Sequence, residues 1–197
     1  MKTFRIITAG LIAVTLSMVA LVASPQKGKD NDRDRANRFS ARLLGINEVP
    51  SVSTGATGSL KATISKDEQS IEYELTFTGL QGVVAQSHIH IARPNVNGGI
   101  VLWLCQGTSR APAAVAALTP ECPQEATGPT AVTGTLTNAN ITPVATQQIG
   151  ADELDEIIAL IRAGAAYANV HTSLSPGGEI RGQVRVGGGD DHGGDDR

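Results

Sequence analysis

The sequence predicts an all-β fold, an antiparallel sandwich or barrel of about eight strands with one short helix. Three observations carry this. Apolar and polar residues alternate in short runs, which is the period of a half-buried strand. Glycine, proline, asparagine and serine separate these runs at the spacing of turns. Only one stretch, beginning at Asp152, has helical spacing.

The clearest strand is Ile71, Tyr73, Leu75 and Phe77 on one face, with Glu72, Glu74 and Thr76 on the other. Glu72 and Glu74 read as a solvated sheet face. Before it come Phe39 to Leu44 and Ser59 to Ile64. After it come Val84 to Ile91, Ile100 to Leu104, Val132 to Leu136, Tyr167 to Thr172 and Ile180 to Val186. A weak echo, TGATGSL from Thr54 against TAVTGTL from Thr130, fits two related strands but is too short for a repeat. Leu154, Ile157, Ile158 and Ile161 form a helical stripe with acids at its start and Arg162 and Gly164 at its end. Acids suit the positive end of a helix, Arg162 the negative end, and Gly164 the left-handed stop, so a helix of about eleven residues covers the sheet here.

The ends of the chain differ from the middle. Lys2 and Arg5 precede an uncharged apolar stretch from Ile6 to Ala23, the layout of a secretory signal peptide over residues 1–23, with cleavage after Ala23 or Ala20. The rival is an uncleaved N-terminal anchor, since the stretch just spans a bilayer. Residues 24–38 include KGKDNDRDRANR, a charged linker that cannot offset its own ordering entropy. Residues 187–197, glycine and aspartate with His192, read as a solvated, disordered tail. One domain, residues 39–186, remains between them, long enough to bury a single core.

Composition excludes several functions. A net charge of -3 offers no basic surface for phosphates, so nucleic acid is not a partner. No amphipathic basic segment appears, so no membrane contact is expected beyond an N-terminal anchor. Two cysteines cannot alone make a four-thiolate zinc site or an iron–sulfur cluster. Cys105 and Cys122 bound an alanine- and proline-rich segment, and in an exported protein such a pair is most simply one disulfide closing a long loop. A reactive thiol or a metal-ligand pair has no basic or histidine neighbour in sequence to support it.

The histidines hold the chemistry. His88 and His90 in SHIHIARP are two apart, so on a strand both project from one side, and Ile89 and Ile91 from the other. In YANVHTS the same alternation groups Tyr167, Asn169 and His171. In GEIRGQVRV it groups Glu179, Arg181, Gln183 and Arg185. If these strands are neighbours, three imidazoles meet beside an amide and a carboxylate, the inventory of a transition-metal site. Three nitrogen ligands would leave one position open on a copper or zinc ion. The other reading is a hydrogen-bonded polar network without metal, in which Asn169 and Glu179 orient the imidazoles and Arg181 pairs with a carboxylate. Ser87 points away from His88 and cannot pair with it as a nucleophile.

These residues also carry a family resemblance. FSARLLGINEVPSVSTGATGSL from Phe39, IEYELTFTGL from Ile71, AQSHIHIARP, GGIVLWL from Gly98 and YANVHTSLSPGGEIRGQV from Tyr167 resemble, in order, the CHRD domain, named for its occurrence in chordin and found alone in exported bacterial proteins. The Glu48-Val49-Pro50 turn and the string from Gly178 to Gln183 are the most specific pieces. Ala92 stands where the family usually has glycine, and Ala168 where valine is more usual. The resemblance implies an immunoglobulin-like sandwich, similar in architecture to Cu,Zn superoxide dismutase, with no established enzymatic activity. His88, His90 and His171 are too few for that enzyme's two-metal centre, so at most a mononuclear site is available. Two functions follow: an exported binding or structural module for an unidentified extracellular partner, without catalysis, or a mononuclear copper or zinc protein.

Overall fold

The computed structural model describes residues 34–124 and 129–187. The N-terminal apolar stretch, most of the charged linker and the Gly/Asp-rich tail from residue 188 lie outside the described residues. The strands are β1 (Arg38–Leu44), β2 (Thr57–Ile64), β3 (Ile71–Thr78), β4 (Val84–Ile91), β5 (Gly99–Gln106), β6 (Thr130–Leu136), β7 (Ala166–Thr172), β8 (Ile180–Gln183) and β9 (Arg185–Val186). Each run read from the sequence forms a strand, and the last divides at Val184, whose N–H turns to the Ala166 carbonyl.

All pairings between the named strands are antiparallel, in the order β5-β4-β7-β8-β1-β2-β3-β6, with β9 also on β1. The expected sandwich or barrel takes the form of one continuous antiparallel sheet curled almost into a barrel. The end strand β5 approaches the opposite end of the sheet where the hydroxyl of Tyr73, on β3 next to the other end strand, donates to the Leu104 carbonyl at 2.6 Å. The two echoing sequence runs, β2 and β6, flank β3 on either side. Leu43, Leu60, Ile71, Leu75, Ile89, Leu102 and Ile180 fill the interior. Aliphatic residues do this because their branched side chains fit the pleat.

A single helical turn, α1 (Ala113–Ala116), and three 3-10 turns were not legible as elements. The main helix, α2 (Leu154–Arg162), is nine residues long and buries Leu154, Ile157, Ile158 and Ile161. The Asn138 side chain accepts from the Leu154 N–H at 2.9 Å, satisfying one of the free donors at its start. At the other end Gly164 takes φ +70°, and Arg162 pairs with Glu68 and with Asn37.

The disulfide expected between Cys105 and Cys122 is formed, with Cα atoms 4.9 Å apart. Glu72 and Glu74 are exposed, as the sheet pattern requires. The central strands β4 and β7 break that pattern, because nearly every residue on both faces is buried. On the histidine face the Gly98 and Pro176 carbonyls reach His90 and His171, and Val115 of α1 packs with Trp103.

Candidate metal centre

Strand register assembles the polar cluster. β7 lies between β4 and β8, with His88 opposite Asn169 and His90 opposite Tyr167; on the far side Asn169 faces Arg181 and Tyr167 faces Gln183. His171 sits one step along, opposite Gln86, where the β4–β7 register shifts. Same-face neighbours on adjacent strands lie within side-chain reach, so these rows converge. The ring centroids of His88 and His90 are 5.3 Å apart, and those of His88 and His171 4.8 Å.

All three imidazoles are buried: His88 is 0% exposed, His90 7% and His171 6%. Nδ1 of His90 lies 2.9 Å from the Gly98 carbonyl, and Nδ1 of His171 lies 3.0 Å from that of Pro176. A carbonyl only accepts, so each Nδ1 carries the hydrogen and each Nε2 presents a lone pair. Neither Nε2 makes a well-formed hydrogen bond and neither nitrogen of His88 does, although the Asn169 side chain is close enough to act on both His88 and His90. Burial drives all three rings toward the neutral form, His90 down to about 4 and His88 and His171 below the usual histidine range.

One potential ligand atom from each ring lies within 4.8 Å of the others. Nitrogens on one tetrahedral ion at the usual ~2.1 Å stand about 3.4 Å apart, so binding requires the widest-spaced rings to close in by more than an ångström. The residues fit such an ion in kind as well: neutral rings, lone pairs turned inward, and second nitrogens fixed by carbonyls, which is how metal-bound histidines are oriented.

Aromatic rings wall the cluster. The only tryptophan, Trp103, packs edge-on against His88 at 4.4 Å. Tyr167 lies flat on His90. Arg181 does not pair with a carboxylate; its guanidinium sits over the Tyr167 ring and donates to the Asn97 side chain and the Val96 carbonyl.

Two carboxylates differ from their expected parts. Glu179 does not orient an imidazole: its oxygens accept from Thr54, Thr172 and the Gln81 N–H, tying the β7–β8 turn to two other loops. The acid nearer the cluster is Glu48, which sequence reasoning placed only in a turn. It follows the 3-10 turn Gly45–Asn47, is 5% exposed, and feels both Arg181 and the Asn169 side chain. Burial raises its carboxyl to about 7, with Arg181, Asn169 and the Val49 backbone pulling it back. Turn residues have no alternation to say which way they point. The signal that marked Glu48 was its place in the most specific family string.

A family model described as CHRD domain matches residues 39–184. No curated protein and no solved structure matches the chain.

Proposed function

The chain belongs to the CHRD domain family, and from that premise we propose that it is an extracytoplasmic domain whose His88, His90 and His171 hold one copper or zinc ion. Family membership by itself supports an extracellular-type binding or structural module, and the metal centre is the finer reading.

The observation that carries it is the set of unpartnered imidazole nitrogens. A hydrogen-bonded network would give each buried ring nitrogen a partner, because an unsatisfied buried polar atom costs about 1–3 kcal/mol. Four imidazole nitrogens here have none: both of His88, and Nε2 of His90 and of His171. An ion accepting three of these lone pairs offsets that cost and leaves further coordination positions open. The disulfide supports export, since such bonds persist in oxidising compartments. The signal-peptide reading of residues 1–23 points the same way.

Metal analysis of tag-free protein tests this. The unsubstituted protein is expected to carry, or to take up, close to one equivalent of copper or zinc, and the His88→Ala, His90→Ala double variant none. Equal, substoichiometric metal in both would sink the proposal. A surface for an extracellular partner is compatible with the same fold.

A further inference from the structure

The unpartnered atoms extend beyond the imidazoles. Among the described residues, eight buried side-chain nitrogen or oxygen atoms lack a hydrogen-bond partner: Oε1 of Glu48, Oδ1 of Asn169, the four imidazole nitrogens, Trp103 Nε1 and Thr142 Oγ1. Six of them belong to the histidines, Asn169 and Glu48, and a seventh is on the tryptophan against His88. The strain of burying polar groups is thus concentrated in one region, and Glu48 is its acidic member.

Glu48 is built in. The chain at Gly178 takes φ +121°, and any side chain there would collide with the Glu48 carboxyl group. Its neighbours lead directly to the cluster. Asn169, which acts on it, stands opposite His88, and Tyr167, which feels its charge, lies on His90. The charged and titratable groups acting on it are Arg181 from β8 and Tyr167 from β7.

Resting on the proposed metal centre, we infer that Glu48 is its charge-compensating carboxylate, surrendering its proton when an ion enters the three-histidine site. The three rings are neutral, so they cancel none of the ion's charge. Arg181 adds a positive charge of its own. In a poorly hydrated interior, charges one side chain apart interact far more strongly than in water, so the ion's arrival favours the ionised acid. The proton passes to solvent, so a divalent ion's entry raises the buried charge by one unit instead of two. The apo state keeps the acid protonated because burial disfavours its charge with no ion to offset it. Glu48 acts through its charge and is assigned no place among the ligands.

Calorimetric titration of zinc ions into tag-free protein at pH 6, in buffers of different ionisation enthalpy, tests the inference. The unsubstituted protein is expected to release nearly one proton more than Glu48→Gln, which binds zinc roughly tenfold more weakly. Glu48→Asp restores most of the proton release. Infrared difference spectra of the unsubstituted protein give a second readout that does not depend on the variant folding: zinc converts a protonated carboxyl band into a carboxylate band. Equal proton release and equal affinity in a folded Glu48→Gln protein would overturn the inference while leaving the metal centre standing, and so would an unchanged carboxyl band. Zinc binding that survives His88→Ala, His90→Ala, or no binding by the unsubstituted protein, would remove the metal centre and this inference together.

Discussion

The Tyr167 ring lies parallel to the His90 imidazole, with an interplanar angle of 3° and centroids 4.6 Å apart. On the neighbouring strand the Arg181 guanidinium carbon sits 3.4 Å from the centroid of the same tyrosine ring. Three strands thus contribute one layered stack, His90 from β4, Tyr167 from β7 and Arg181 from β8. The stack holds the plane of a candidate ligand, and it sets the buried Arg181 cation on a π face.

Removing the middle of that stack is expected to be costly. Tyr167→Leu forfeits the aromatic contact and the cation–π contact, together about 2 kcal/mol. Tyr167→Phe keeps the ring and loses only a long hydrogen bond from the Gly98 N–H, 3.4 Å, so it is expected to cost well under ~1 kcal/mol. Urea denaturation of both variants checks this. Equal losses would show that the hydroxyl, and not the stack, does the stabilising.

Acid should weaken the metal-free protein. The unfolded chain protonates its histidines below about 6.5, whereas the fold keeps His90 neutral down to about 4 and lowers His88 and His171 as well. Stability from these neutral rings is complete above about 6.5 and is lost as pH falls toward 4. Glu48 has the opposite sign: raised from 4.5 to about 7, it contributes stability at low pH that is lost as pH rises through 7. Three groups oppose one, so the unfolding midpoint in denaturant is expected to drop between pH 6.5 and 4. Glu48→Gln, lacking the opposing group, should drop more steeply. A flat profile would contradict the burial of neutral imidazoles.

The disulfide closes a loop with a sequence separation of 17. Chain entropy alone gives such a bond about 3 kcal/mol. Replacing both Cys105 and Cys122 with alanine should lower stability by roughly that amount without unfolding the domain, because most of the aliphatic core lies elsewhere. Chemical denaturation with and without reductant measures it. A loss below about 1 kcal/mol would mean that the segment is held by its own backbone hydrogen bonds.

Much of this was legible in the residues, and the exceptions have physical reasons. Strands such as Ile71 to Phe77 announce themselves because a period of two follows directly from the pleat, and the α2 stripe is equally plain. His88, His90, Asn169 and His171 could be put on one face by the same rule. Their neighbourhood could not, because register between β4 and β7 depends on pairing across some eighty residues of chain. Glu179 misled because alternation placed it with the histidines, while the turn before β8 directs it to Thr54 and Gln81. Glu48 escaped notice because a 3-10 turn has no face to read. The strand runs left sandwich and barrel both open, since they do not say whether two layers are joined.

The almost closed sheet leaves β5 and β6 as its end strands, and the chain treats the outer side of β5 with particular care. Thr142 donates to the Val101 carbonyl, Tyr73 to that of Leu104, and Cys122 to that of Gln106, while the Gln106 N–H is taken by Pro120. Backbone groups that would otherwise be open to a second copy are already occupied. A bare strand at a sheet end is a template for aggregation. The disulfide therefore does more than shorten a loop: by holding Cys122 beside Gln106 it keeps this border closed to strand addition.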